Sequence, residues 1–373
     1  MGEPSGLLDG CIRCPPGLGA ALPVAIDGGP MHRAASTHRA AWMAPTHSAQ
    51  GVVKGDAVDP AGEQLNRVQW DANWGYCGET SFIAAGMNFG QYASQFTVRG
   101  LASPGIPQSQ AASQLLLGVN DQAAARAMHL KVSQYSDAGG TRGSSRAARF
   151  ISWMRDRMTK GARVILGVYA KGSHDTEYDH IVPAVDIVAG GIDSGGTSGV
   201  EGGVASGDQS GPGDGFSFAD NAGHVLTVTF SNLLRDRRGA NAASAPSYSI
   251  PTDANNYAAA VEGVADREGV TIPVMLQASR RSEPEMVDGG LLPPAPKPLA
   301  IRATVYIPNQ NQSYKLYRYN NFSKVPEASF NAAASNAVQS WLIPAHSGSS
   351  VFFDINVLTS DTVVFRAVPS TAP

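Results

Sequence analysis

Residues 69–96 read QWDANWGYCGETSFIAAGMNFGQYASQF, and they contain the best-defined helix start in the chain. Apolar side chains recur at Phe82, Phe89 and Phe96, a spacing that predicts a helix with a buried face. Cys77 falls in the first turn of this helix, where unpaired backbone N–H groups and the helix dipole favour a thiolate. Because the thiolate is the reactive form of cysteine, Cys77 is a candidate nucleophile. A buried structural cysteine is the alternative that this residue alone leaves open.

Composition limits the classes of protein that can be built around this helix. The chain has 373 residues, 43% hydrophobic and 16% charged, with 41 Gly and 24 Pro. These values are typical of a globular protein with many loops, and the length predicts about two domains. A net charge of −3 provides no basic surface, so nucleic acid is not an expected partner. No apolar run approaches the roughly 20 residues of a membrane-spanning helix, so no span is predicted. Location and oligomeric state stay open.

Residues 1–66 are rich in Gly, Pro, Ala and His and show little periodicity, which predicts an irregular leader or pro-segment. Two cysteines and two histidines in it imitate a zinc ligand set: Cys11, Cys14, His32 and His38. The gap between the pairs is longer than in the usual zinc finger, and no strand or helix pattern lies between them. We therefore predict no metal site.

The centre of the chain alternates between helix and strand patterns. A helix is predicted from Ser145 to Thr159, followed by a buried strand at 162–170 with the sequence ARVILGVYA. A second strand, HIVPAVDIVAG, opens with His180. After a long Gly- and Ser-rich excursion, the strand GFSFADN ends in Asp220 and Asn221, and HVLTVTF follows as another strand.

This order supplies the three side chains that cysteine catalysis needs. A nucleophilic thiol requires a base within hydrogen-bonding reach and a third group that orients the imidazole. Cys77, His180 and Asp220 or Asn221 are the candidates for these roles. Each also has a structural interpretation, because a histidine often opens an apolar strand and Asp-Asn-Ala-Gly is a good turn sequence.

With these motifs, residues 66–240 resemble a papain-like cysteine peptidase, and most of all the bacteriocin-processing type of peptidase domain. The likeness includes the Cys-Gly helix start, the GARVILGVYA and DHIVPAVDIVAG strands, the FADNAGH turn and the TFSNLL strand-to-helix step. The resemblance implies an α+β fold in which the Cys helix packs on an antiparallel sheet. It also implies a peptide or protein substrate, no cofactor, and Cys77 and His180 as the catalytic pair. Asp220 is the first choice for the third member, and Asn221 is the alternative.

One position departs from the family pattern. In that family a Gln six residues before the Cys donates to the oxyanion, whereas this chain has Asp71 there. An ionised Asp donates no hydrogen bond, so Gln69 or Asn73 must take over, or the oxyanion hole is incomplete. Asp71 at this position favours one alternative to a peptidase, a catalytically silent binding scaffold. The other alternative is an acyltransferase or transpeptidase that uses the same thiol and resolves the thioester with an amine.

The remaining sequence predicts a change of architecture. The region assigned to the catalytic domain, 67–280, closes with a helix begun by Thr252 or Asp253 and ended by Gly269, and with one strand. Residues 281–298 are Pro-rich and charged, which predicts a linker.

From Ile301 five β-type runs follow: IRATVYI, SYKLYRY, QSWLIPA, SVFFDINVL and TVVFRAV. Their alternating pattern predicts a small all-β, sandwich-like domain at 299–373. Its aromatic residues are expected in the core, with a β-type binding module as the alternative.

Overall fold

The computed structural model describes residues 70, 75–136, 144–170, 178–188, 215–219, 221, 225–229, 257–279 and 295–371. The helices in these residues are α1 (Cys77–Met87), α2 (Gln95–Ala102), α3 (Asp121–Ala127) and α4 (Ser144–Thr159). The strands are β1 (Gln91–Tyr92), β2 (Leu130–Ser136), β3 (Arg163–Ala170), β4 (Tyr178–Val188), β5 (Gly215–Ala219), β6 (Val225–Thr229), β7 (Tyr257–Val264), β8 (Val274–Ala278), β9 (Pro298–Tyr306), β10 (Tyr314–Tyr319), β11 (Gln339–Ile343), β12 (Ser350–Leu358) and β13 (Val363–Pro369). Short 3₁₀ turns lie at Ala111–Ser113, Phe322–Lys324 and Ala334–Asn336. The α+β class is confirmed.

The largest sheet has six antiparallel strands in the order β2-β7-β3-β4-β5-β6. Side chains alternate between its two faces, as they do on any strand. On β3, Val164 and Leu166 join a cluster with helix α4, whereas Ile165 joins the cluster that contains α1. The sheet is therefore covered by α4 on one face and by α1 on the other.

The apolar residues of α4 and α1 explain why these helices pack there. Four side chains of α4 share the face that the sequence predicts to be buried: Phe150, Ile151, Met154 and Met158. On α1, Phe82 and Ile83 are completely or almost completely buried. Burying one such side chain contributes about 1.5–3 kcal/mol. Among the described residues, no helix is both long and apolar enough to cross a membrane.

The five predicted C-terminal β runs are confirmed as strands β9 to β13. They form two smaller sheets, one in the order β1-β13-β10-β11 and the other in the order β12-β9-β8. Buried residues of both sheets belong to the same cluster as α1.

The boundaries between the sheets do not coincide with the predicted 281–298 linker. Strand β1, directly after α1, pairs with β13 through Gln91↔Val364 and Tyr92↔Val363. Strand β8 precedes the linker and pairs with β9, which begins at its end. Each small sheet thus takes one outer strand from the segment assigned to 67–280. The physical reason is that a sheet edge leaves backbone groups unpaired, and the upstream segments pair with them.

The predicted helix between Thr252 and Gly269 is wrong. Residues 257–264 form β7, which lies between β2 and β3 in the six-stranded sheet. Ala258, Ala259 and Ala260 are fully buried. Pairing on both sides and burial on both faces outweigh the helix preference of alanine, which is worth less than about 1 kcal/mol per residue.

Candidate active site

Cys77 is the first residue of α1, as the sequence predicts, and its side chain is half-buried. The preceding carbonyl, that of Tyr76, accepts the first helical hydrogen bond from Thr80 N at 2.9 Å. Tyr76 occupies the N-cap position and makes no side-chain capping bond. The thiol therefore lies at the positive end of the helix dipole, where a negative charge is favoured.

His180 lies near the start of β4, where it pairs with Val168 of β3, and it is buried. The strand predicted to open with this histidine is confirmed. Its neighbour Ile181 makes the contacts that connect β4 to the Cys helix. The carbonyl oxygen of Ile181 accepts hydrogen bonds from two side chains, those of Ser81 and Asn221.

Asn221 links the turn of Cys77 to the strand of His180. Its Nδ2 lies 3.2 Å from the Cys77 carbonyl oxygen and 2.8 Å from that of Ile181. Because carbonyls only accept, these contacts fix which end of the amide is the nitrogen. The residue is fully buried and has a φ of 56°, a backbone conformation that Asn tolerates better than most residues. Its Oδ1 is buried and has no hydrogen-bond partner within the described ranges.

Ser81, one turn into α1, makes a second link. Its hydroxyl lies 2.7 Å from the Cys77 carbonyl oxygen and 3.0 Å from the Ile181 carbonyl oxygen. Asn221 Nδ2 also lies 3.2 Å from this hydroxyl. One small polar cluster, which we call the clamp, thus consists of Ser81, Asn221 and the carbonyls of Cys77 and Ile181. Sequence reasoning missed Ser81, although its position four residues after Cys77 puts it on the same helix face.

The clamp lies near the start of β4. The ladder between β4 and β5 is formed from Ala184 onward, so Ile181 precedes it. Ser81 and Asn221 bond the Ile181 carbonyl in the part of β4 that precedes the residues paired with β5. By strand alternation His180 shares the face of Val182 and Ala184, which is the α4 face, while Ile181 belongs to the α1 face. Cys77 packs against the cluster on the α1 face, beside Ile181, whereas His180 lies on the opposite face of the strand.

A buried ion pair supports the chain on both sides of Cys77. Arg99 Nε lies 2.6 Å from Glu79 Oε1, and both side chains are at most 1% exposed. Arg99 Nη2 donates to the Gly75 carbonyl at 2.5 Å, and its guanidinium carbon lies 3.4 Å from the centre of the Tyr76 ring. Arg99 thereby contacts both residues that precede Cys77 as well as the second residue after it. Sequence reasoning missed this pair; the signal for it was one Glu in the first helical turn.

Residues 114 and 115 contact the same region, the first turn of α1 and the residues just before it. Gln114 Nε2 donates to the Gly75 carbonyl at 3.0 Å, and Leu115 N donates to Glu79 Oε1 at 3.0 Å. A Cβ added at Gly78 would lie 2.1 Å from the Leu115 carbonyl oxygen. Only glycine fits at this approach, which explains the residue that follows Cys77.

The segment before Cys77 is also held by aromatic contacts. The rings of Trp70 and Tyr76 meet edge to face with centroids 5.2 Å apart. Trp70 N donates to Gln95 Oε1 at 2.9 Å. Burial raises the pKa of Tyr76 to about 12, so its hydroxyl stays neutral at physiological pH.

Several predicted site residues lie outside the described residues: Gln69, Asp71, Asn73 and Asp220. Their roles stay predictions. The zinc-like set in 1–66 also lies outside. Within the described ranges, no group of three or more His, Cys, Asp or Glu side chains is placed to hold a metal ion.

No protein-family model matches the chain, and no curated protein or solved structure is significantly similar to it.

Proposed function

We propose that the chain is a papain-like cysteine peptidase, a thiol hydrolase that cleaves a peptide or related amide bond. The observation that carries the proposal is the Asn221 side chain, which bonds the carbonyl of Cys77 and the carbonyl of the residue after His180. Cys77 and His180 are 103 positions apart in the sequence numbering, yet a single buried amide bonds the backbone of Cys77 and that of Ile181, the residue after His180. The papain-like form of the α+β fold is part of this proposal.

The chemistry assigns one role to each residue. Cys77 Sγ attacks the substrate carbonyl and forms a carbon–sulfur bond, while the thiol proton passes to His180. The carbon–nitrogen bond then breaks, and the amine leaves with that proton. Water, deprotonated by the same imidazole, hydrolyses the thioester and restores the thiol.

The third member of the triad has two candidates with different chemistry. Asp220, adjacent to Asn221, is an acceptor for the imidazole N–H when ionised. Asn221 can also accept through Oδ1, because its amide nitrogen is already used by the clamp. In either case Asn221 also positions the backbone of Cys77.

The oxyanion hole is assigned to the Cys77 backbone N–H, with Gln69 or Asn73 as the side-chain donor. Helix geometry directs the N–H of a first-turn residue away from the helix body. The thiol at the same position is then correctly placed to form the tetrahedral intermediate beside that donor.

The test uses a Cys11→Ser, Cys14→Ser background, in which Cys77 is the one remaining thiol of the three. Its alkylation rate by iodoacetamide is measured against pH, and a peptide library is analysed for cleavage by mass spectrometry. We expect a reactive thiol well below pH ~8.5, and turnover that falls by about 10²–10⁴-fold in His180→Gln. His129→Asn, in a different part of the fold and at a positive φ that Asn tolerates, is the control and retains turnover.

Two alternatives have distinct signatures in the same experiment. A silent scaffold is favoured by one observation, the position of His180 on the α4 face. It predicts an alkylation rate that rises only near pH ~8.5 and no cleavage. An acyltransferase predicts that an added amine, such as glycinamide, appears in the product in place of water.

A further inference from the structure

We infer that Arg99 is a positioning residue for the proposed reaction: it fixes the peptide that precedes the nucleophile, and with it the oxyanion donor. The inference rests on the proposed function. A fully buried Arg and a fully buried Glu are costly to desolvate and need several good partners. Arg99 has such partners at Glu79, Gly75 and Tyr76.

The first step concerns the Gly75–Tyr76 peptide. Its carbonyl oxygen accepts from Arg99 Nη2 at 2.5 Å and from Gln114 Nε2 at 3.0 Å. Two donors from different elements occupy both lone pairs, so rotation of this peptide plane is resisted from two directions. The guanidinium over the Tyr76 ring, 3.4 Å from its centre, also restrains the side chain that follows.

The second step concerns the Tyr76–Cys77 peptide. Its carbonyl accepts from Thr80 N at 2.9 Å, which sets its plane along the helix axis. The N–H of Cys77 belongs to the same plane and so points out of the helix end. If the Gly75 carbonyl turns, ψ of Gly75 and φ of Tyr76 change, and the Tyr76–Cys77 peptide that carries this N–H moves with them.

The third step is that Arg99 also contacts the other side of the nucleophile. Glu79 is the second residue after Cys77, and its Oε1 accepts from Arg99 and from Leu115 N. Arg99 is thus the single side chain that contacts residues on both sides of Cys77 in this cluster. If Arg99 loses its planar, forked guanidinium, the orientation of the Cys77 N–H should therefore change more than the charge near the thiol does.

The test is Arg99→Lys, which keeps the positive charge but loses the planar fork. Arg366→Lys is the matched control, because Arg366 is equally buried and, like Arg99, donates to a side-chain oxygen and a backbone carbonyl, here those of Gln91 and Phe89. We expect Arg99→Lys to lower kcat on a cleaved peptide by about tenfold or more with KM within about twofold, a loss confined to the transition state. The pH profile of Cys77 alkylation should stay that of the wild type.

Gln114→Ala removes only the second donor to Gly75 and leaves the buried ion pair intact. It should lower kcat in the same direction by a smaller factor, about three- to tenfold. This variant carries the test if Arg99→Lys does not fold.

The outcomes separate the two proposals. Wild-type protein with no turnover and an ordinary thiol profile would refute the proposed function and the positioning role together. If the wild type is active, two results would overturn the positioning role alone. In one, Arg99→Lys and Gln114→Ala keep the wild-type kcat. In the other, Arg99→Lys lowers kcat no more than Arg366→Lys does.

Discussion

The amide nitrogen of Asn221 lies 2.8 Å from the carbonyl oxygen of Ile181, the residue that follows His180. The same nitrogen lies 3.2 Å from the carbonyl oxygen of Cys77. An asparagine expected to orient an imidazole is therefore first of all a connection between two backbones. It connects the first turn of α1 to the start of β4.

Substitutions at Asn221 should separate the side chain from the backbone conformation. Asn221→Gly removes the amide but allows a φ of 56°, whereas Asn221→Ala removes the amide and adds the cost of a left-handed residue. We expect the free energy of unfolding to fall by about 1–3 kcal/mol in the Gly variant, because the carbonyls of Cys77 and Ile181 each lose one of their hydrogen-bond donors. The Ala variant should lose a further ~1–2 kcal/mol. Urea unfolding with unchanged m values measures both. Wild-type stability in Asn221→Gly would show that the amide contributes nothing.

Gly78→Ala should be destabilising although alanine is the better helix former. The new Cβ would lie 2.1 Å from the Leu115 carbonyl oxygen, so the 114–115 segment must move. We expect a loss of about 2 kcal/mol or more in spite of a helix-propensity gain of ~1 kcal/mol. Gly100→Ala in α2 is the control, because its nearest neighbour is the flexible Gln108 side chain at 3.4 Å. The control should be neutral or slightly stabilising; equal losses in both variants would contradict the packing argument.

Elements that depend on neighbouring residues could be predicted from the sequence, whereas contacts between residues far apart in the chain could not. The alternating patterns of β9 to β13 and the one-sided pattern of α4 depend on neighbouring residues, and those predictions are confirmed. Strand β7 is predicted as a helix from the sequence, because its residues are alanine-rich and nothing in them indicates pairing with β2 and β3, which flank it in the sheet.

The candidate site divides in the same way. The place of Cys77 at a helix start follows from the turn residues just before it. The predicted Phe82, Phe89 and Phe96 spacing does not describe this helix, because α1 ends at Met87 and Phe96 belongs to α2. The ion pair Glu79–Arg99 joins residues 20 positions apart, and Ser81 reaches Ile181 across 100 positions. Such contacts depend on how the elements pack, which a single sequence does not specify.

Acid should weaken the contact between the α3–β2 turn and the loop that joins β10 to β11. The hydrogen bond from His129, together with Arg267, lowers the pKa of Glu327 below its ordinary value of 4.5. A depressed carboxyl pKa contributes stability that is present above the unfolded-state pKa and is lost as pH falls through the folded-state pKa. Glu327→Gln should therefore be less stable than wild type at pH 7, and the difference should shrink below about pH 4. Urea unfolding across this pH range measures it.

His129→Asn is the companion variant, because Asn tolerates the positive φ of 52° at this position. It removes the first-named cause of the shift, so an NMR titration of the Glu327 carboxyl should show its pKa returning toward 4.5. An unchanged titration would mean that another group lowers it.

Cleavage in the predicted linker should leave the protein in one piece. A protease site introduced within 281–294 separates β8 from β9 along the chain, but β8 pairs with β9 and β1 pairs with β13. We expect the cut protein to elute from a sizing column as one particle and to separate only in denaturant. Residues 299–373 expressed alone lack both outer strands and should aggregate, because unpaired edges associate. Two separate soluble fragments would instead support an independent β domain.

The pairing of β1 with β13 has a consequence for synthesis on the ribosome. Gln91, four residues after the end of α1, accepts a hydrogen bond from Arg366, which lies 275 residues further along the chain. At 5–20 residues per second, roughly 14 to 55 s pass between the synthesis of these two residues. During that interval the nascent Cys helix has no partner for its following strand. The strand that follows the Cys77 helix can therefore pair only after β13 has been translated, so a chain that stops before β13 leaves β1 without the strand it pairs with in the folded protein.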